Sequence, residues 1–458
     1  MNLSRRILPM AASLLLAGAA LAAPEGEAAY RSTYQPPPSV TTAIVGATIL
    51  TAAGARIENG TIVLQGGKVT AVGSAVAIPP DARVVDGKGK WVTPGIVDPH
   101  VHLGVDMQLA PGGDSTNELT NPNGADNWIE YGLWPQDPAF PAALAAGVTT
   151  MQVLPGSGNL FGGRSVVIHP IPATSAAAMK LPDAPYGLKM ACGENPARIY
   201  GAKGQAPSTV MGDFAGDRAT WQAAREYDSE WTAYERQPGS GRSGKPPKRD
   251  LKLDTLREVL HGRIRINMHC YRADEMVTAI EMSHEFGYRI TSFHHAVEAY
   301  KIAPLLAREG VCSAVWAQPG PAKLEMSDLT SANAALLERS GACVAMHSDG
   351  PAFGEHLALE AAIAMAAGNR ANLNITPEVA IRWLTINPAR LLGIDGRTGS
   401  LQVGKAADVV LWNHDPFSAY AQPERVFVDG ALMFDRSDLR HRWTTDLELG
   451  RPVAKGDQ

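Results

Sequence analysis

A chain of 458 residues can bury a core far larger than one small domain needs, and its 45% apolar and 19% charged content excludes a disordered or fibrous protein. The formal charge of −5, with no long Lys/Arg block, gives no electrostatic reason for nucleic acid or an anionic membrane as a partner.

The N-terminus reads as a processing segment. Arg5-Arg6 precede an apolar run from Ile7 to Ala19, and Ala20-Leu21-Ala22 has the small-x-small form of a cleavage site, so residues 1–22 are expected to be a secretory signal. The run is too short for a comfortable membrane span. The expectation is therefore an exported protein, periplasmic or extracellular, with no stable membrane anchor after signal removal. Ser4-Arg5-Arg6-Ile7-Leu8 also partly matches a twin-arginine signal, without the usual residues after the arginines. Pro36-Pro37-Pro38 marks an extended linker, residues 23–41.

Residues 42–93 carry short alternating runs such as Thr61-Ile62-Val63-Leu64 and Lys68-Val69-Thr70-Ala71-Val72, joined by the hairpin signal Gly66-Gly67. The same texture returns in residues 397–440, as in Asp408-Val409-Val410-Leu411-Trp412. Neither end has enough strand to bury a core alone, so together they are expected to form one small β-sandwich, with 441–458 as a tail. Between them, residues 94–396 alternate short apolar strands with helical stretches. Such alternation predicts parallel β/α units, and counting the strand that leads to His100 gives about eight strands, the number of a closed barrel. The Gly/Pro/basic stretch Gln237–Arg249 reads as a solvated loop. Cys192, Cys270, Cys312 and Cys343 all lie in apolar strand-like segments and are read as buried and reduced, although four cysteines could also form two disulfides.

The run Pro94-Gly95-Ile96-Val97-Asp98-Pro99-His100-Val101-His102 carries the strongest chemical signal. Strand side chains alternate faces, so His100 and His102 point the same way and make half a site for a zinc-type ion. A barrel places functional residues at the C-terminal ends of its strands. His269 ends one predicted strand, His294 and His295 end another, and Asp349 follows a third. Any one of them alone would more often be structural; their joint placement points to a metal centre.

The His100 run, Asp349, Thr385-Ile386-Asn387-Pro388-Ala389-Arg390 and the segment Gly399–Asp408 together resemble the amidohydrolase superfamily, closest in texture to its imidazolonepropionase-like and prolidase-like members. The resemblance covers nearly the whole mature chain. It implies a distorted (β/α)8 barrel with a β-sandwich from both termini, and metal-dependent hydrolysis with one or two divalent ions, usually zinc. It also implies metal-ligand roles for His100 and His102 on the first strand, His269 on the fifth, His295 on the sixth and Asp349 on the eighth. His294 is the alternative on the sixth strand, or leans over the pocket toward substrate. On the fourth strand, Lys189 in Gly187-Leu188-Lys189-Met190-Ala191 has the form of a carbamate-bearing bridging lysine, and Glu194 is its rival.

The activity implied is cleavage of a C–N bond in a small amide or peptide, such as a dipeptide, an N-acyl amino acid or a cyclic amide. Attack by a metal-bound hydroxide is expected, with Asp349 as general base and then acid. Arg164, Arg198 and Tyr271 are candidates for holding a substrate carboxylate. Mononuclear deamination of a nitrogenous ring, phosphotriester or lactone hydrolysis, and a non-catalytic scaffold on the same barrel stay open at this point. A homo-oligomer is compatible with the sequence but not specified by it.

Overall fold

In the computed structural model the described residues are 30–106, 115–237, 245–318, 320, 323–350 and 354–438. The expected signal 1–22, the twin-arginine stretch, residues 23–29 of the linker, 238–244 of the basic loop and the tail 441–458 lie outside them. Among the described residues no helix is long and apolar enough to cross a membrane.

The first alternating runs become β1 (Thr42–Ile49), β2 (Ile57–Gln65), β3 (Lys68–Gly73), β4 (Arg83–Asp86) and β5 (Trp91–Pro94). The apolar central runs become β6 (Ile96–Val101), β7 (Val148–Val153), β8 (Phe161–Ile168), β9 (Gly187–Ala191), β10 (Arg265–Cys270), β11 (Ile290–His295), β12 (Cys312–Val315) and β13 (Val344–Met346). The chain closes with β14 (Val409–Trp412), β15 (Pro423–Val428) and β16 (Ala431–Asp435).

β6 to β13 form one eight-stranded sheet in sequential order. Its strands are almost wholly buried, as expected when helices cover the outside of a barrel. The sheet is nearly closed: β6 meets the end of β13 through a bridge between Val101 and Asp349, where the Asp349 N–H donates to the His100 carbonyl at 2.9 Å. One strand departs from the parallel pattern expected from the alternation. β8 runs antiparallel to both β7 and β9, because the connection 154–160 is too short to carry a crossover helix and can only reverse the chain.

The two termini share a second sheet, ordered β16-β15-β14-β5-β1-β2-β3, with β4 alongside β1. The join is the antiparallel pairing of β14 with β5, so the terminal β part is one continuous hydrogen-bonded sheet. Ile44, Ile62, Val69 and Val92 from the N-terminal part cluster with Val409, Leu411 and Phe427 from the C-terminal part.

The cysteines are buried as expected but not reduced. Cys192 pairs with Cys270 and Cys312 with Cys343, at Cα–Cα distances of 5.4 and 4.5 Å. Register explains the difference. Ala191 faces His269 across β9 and β10, so the next residues, Cys192 and Cys270, are neighbours turned to the outer side. Ser313 faces Val344 across β12 and β13, which brings Cys312 and Cys343 side by side in the same way. Each thiol looked isolated along the sequence; the parallel register supplied its partner.

Candidate metal centre

The centre starts at the end of β6. His102 places Nδ1 at 2.8 Å from the Leu154 carbonyl. A carbonyl only accepts, so Nδ1 carries the proton and the lone pair of Nε2 faces inward. That Nε2 lies 3.4 Å from His100 Nε2 and 3.4 Å from Asp349 Oδ1. His100 Nε2 is in turn 3.2 Å from Asp349 Oδ1 and 3.2 Å from Lys189 Nζ. Donor atoms from β6, from β9 and from the residue that closes the barrel thus converge on one point. Asp349 reaches it with φ +68°, a left-handed conformation that non-glycine residues rarely adopt. The Asp349 side chain keeps 39% exposure while that of His100 has none, so the aspartate faces the open side of the cluster.

β11 breaks the alternation rule at its end. His295 and Ala296 both have positive φ, +67° and +41°, and the twist brings two successive histidines inside. His294 lies behind His100, Nδ1 to Nδ1 at 2.8 Å, and its Nε2 is 2.8 Å from Ser292 Oγ. It is placed to orient His100, and the structure puts it there rather than over the pocket toward substrate. His295 instead faces the cluster, 4.5 Å from the His269 ring and 4.9 Å from the His100 ring. Its Nδ1 is buried without a partner.

His269 offers a second such atom, since its Nδ1 is buried and unpartnered while Asn195 Nδ2 lies 3.3 Å from Nε2. A third histidine of this kind was not singled out from the sequence. His347 is fully buried, stacks on His100 at 4.9 Å and lies against Trp316 at 4.6 Å, and neither of its ring nitrogens has a partner. The available signal was period two: His347 precedes Asp349 by two residues and so shares its face.

Burial sets the protonation of the group. It pushes His100, His269, His294 and His295 well below the ordinary imidazole value, aided for all but His295 by Lys189, and brings His347 down to about 3. Burial likewise lowers Lys189 to about 7. Burial opposes ionisation of Asp349, but His295 and His102 outweigh it and hold the carboxyl well below the usual range. The result is a set of neutral imidazoles, a carboxylate and an amine near neutrality. Orphaned buried ring nitrogens cost free energy unless something binds them. This nitrogen and oxygen donor set fits a zinc-type divalent ion.

Glu194 lies outside the convergent group. It opens the helix Glu194–Gly201, its N–H donates to Glu325 Oε1 at 2.6 Å, and its carboxylate is 3.8 Å from Lys323 Nζ. Lys189 is the fourth-strand residue that reaches the histidines. Arg164 is turned away from them: Leu188 faces it across the strands, its guanidinium lies 4.0 Å over the Trp128 ring, and Nε donates to Thr255 Oγ1 at 2.8 Å. Arg198 is exposed on its helix. Tyr271 does line the centre, 4.7 Å from the His269 ring and 5.3 Å from the His295 ring, with Lys323 Nζ 4.3 Å over its own ring. Lys323 also donates to Asn195 Oδ1 at 2.8 Å and so braces the amide beside His269, a role that no sequence signal marks.

A barrel gathering histidines, a lysine and an aspartate at one mouth defines a class, the hydrolases with a histidine–carboxylate metal centre. A sequence model of the amidohydrolase family matches residues 91–433, and the chain belongs to that family. It is 31% identical over 399 residues to amidohydrolase tasK of Hapsidospora irregularis, covering 82% of this chain but 40% of that protein, so it spans less than half of that relative. An imidazolonepropionase of Pseudomonas aeruginosa is 24% identical over 382 residues, covering 78% of this chain and 88% of that enzyme. Among solved structures, an amidohydrolase from Thermotoga maritima superposes with a TM-score of 0.77 at 34% identity, covering 86% of this chain and all of that one.

Proposed function

We propose that this enzyme cleaves the C–N bond of a small amide, a dipeptide, an N-acyl amino acid or a cyclic amide, outside the cytoplasm, with Asp349 moving the proton. The observation that carries the reading is the convergence of His100, His102, Lys189 and Asp349 within 3.2 to 3.4 Å, ringed by buried imidazoles that lack partners. His100, His102, His269, His295 and Asp349 would hold one or two zinc-type ions. When bound, such an ion polarises a carbonyl and lowers the pKa of water from about 15.7 toward about 7.

The remaining work falls to the chain. Asp349 is ionised and open on one side, so it can take a proton from the attacking water and return it to the leaving nitrogen. His294 fixes the ring of His100, and the Leu154 carbonyl fixes that of His102. Lys189 has no carboxylate in ion-pair contact among the described residues. Its uncharged amine can add to carbon dioxide, forming the N–C bond as one C–O π bond opens and releasing one proton; the resulting carbamate would be a further anionic oxygen ligand for a bound cation. Its place beside His100 favours a two-ion arrangement over a one-ion deaminase. Trp316, tilted against His295 and His347 at 4.3 and 4.6 Å, covers the back of the rings.

The test is a hydrolysis screen of metal-free and zinc-loaded protein on the three substrate classes. Turnover of at least one class only in the loaded form is expected. Full metal occupancy with no cleavage of any C–N bond would overturn the reading.

A further inference from the structure

Behind β9 and β10, on the side away from the histidines, lies a second group of metal-ligating side chains. Cys192 and Cys270 are joined there, 1% and 0% exposed, and the carboxylate of Glu275 closes on them. Its Oε2 is 3.3 Å from Cys192 Sγ and 3.9 Å from Cys270 Sγ, while Oε1 keeps a longer contact of 3.9 Å to Arg272. The three ligand atoms lie within 4.8 Å of one another.

The surroundings suit a cation. Asp213 is fully buried beside the Gly193 N–H, and Glu325 Oε2 is buried with Lys323 Nζ 3.7 Å away. Gly193, at φ +82°, leaves the space between them clear: a Cβ there would meet Glu325 Oε1 at 2.6 Å and Glu275 Oε2 at 3.0 Å. Burial and neighbouring carboxylates raise Glu275 to about 7, against the opposing pull of Arg272, and Asp213 to about 8.

We propose that Cys192, Cys270 and Glu275 form a second metal site when the disulfide is reduced, separate from the histidine centre and selective for a thiophilic divalent ion such as zinc. Reduction adds two electrons and two protons to the S–S bond and gives two thiols; a phosphine supplies the electrons and leaves as its oxide, with the oxygen and both protons coming from water. Binding the ion then releases those two protons, and two thiolates with one carboxylate coordinate it. In an oxidising compartment the disulfide occupies the same sulfurs and the site is closed, so redox state decides whether a metal or a covalent bond ties β9 to β10. The bond or ion sits one residue beyond His269 and three before Asn195, the two groups in contact at the histidine centre.

Cobalt(II) titration distinguishes the two sites, because only a sulfur ligand gives a thiolate-to-metal charge-transfer band and the histidine centre has none. The experiment uses the full chain carrying Cys312→Ser and Cys343→Ser, so that the second pair contributes no thiol. Oxidised protein should show no such band. Phosphine-reduced protein that keeps its native circular dichroism should gain one cobalt per chain and the band, Cys192→Ser should lose both, and Glu275→Gln should need more cobalt for half-saturation. Folded, reduced protein without the band, or a band that survives Cys192→Ser, would overturn the proposal.

Discussion

The terminal sheet and the barrel mouth treat their buried polar atoms in opposite ways. In the sheet, Tyr34 donates to Asp429 at 2.7 Å, Thr398 to Asp408 at 2.6 Å, the Asp429 N–H to Asp408 at 3.0 Å and Trp412 Nε1 to Thr93 at 2.9 Å. At the mouth, His269 and His295 each leave a ring nitrogen unpartnered and His347 leaves two. Leaving a buried polar group unsatisfied costs roughly 1–3 kcal/mol, so one region spends its polar groups on holding the fold and the other reserves them for a ligand. Substitutions in the sheet should therefore cost folding, and substitutions at the mouth should cost metal or chemistry.

The largest effect should come from removing the sheet's second half. Truncation after Gly396 deletes β14, the partner of β5, and should yield no soluble protein on expression; a soluble, active fragment would break the comparison from the structural side. Next is Asp349→Asn, which keeps shape and most coordination but cannot accept a proton. Turnover should fall about 100- to 10,000-fold, with metal content by mass spectrometry and the melting temperature little changed. Lys189→Ala should lower metal content from about two ions per chain to one or fewer, whereas Glu194→Ala should leave it unaltered; the reverse pattern would move the bridging role to Glu194. Tyr34→Phe should have the smallest effect, a loss of about 1–3 kcal/mol in denaturant unfolding because buried Asp429 loses a donor, with turnover unaffected.

Much of this division was legible in the sequence. Period-two spacing placed His100 and His102 together, and strand-end position brought in His269 and Asp349, because both signals follow from backbone geometry that every strand shares. What stayed hidden depended on backbone departures or on register. The inward turn of both His294 and His295 rests on the positive φ at His295 and Ala296, and alternation alone assigns only one of them inward. The reversal of β8 follows from a short connection inside a run that otherwise reads as another β/α strand. The disulfides needed the pairing of strands that are far apart in sequence, and the loss of Arg164 as a substrate contact needed the face it takes opposite Leu188. His347 was within reach of the same period-two rule but was absorbed into its strand.

The central claim is that imidazoles and a carboxylate at the barrel mouth hold the ion of this hydrolase. X-ray absorption at the zinc edge on oxidised, zinc-loaded protein tests it most directly, because both cysteine pairs are then closed. The account predicts a first shell of nitrogen and oxygen at about 2.0–2.1 Å with outer-shell scattering from imidazole rings. A sulfur shell at about 2.3 Å, or zinc without imidazole scattering, would contradict it.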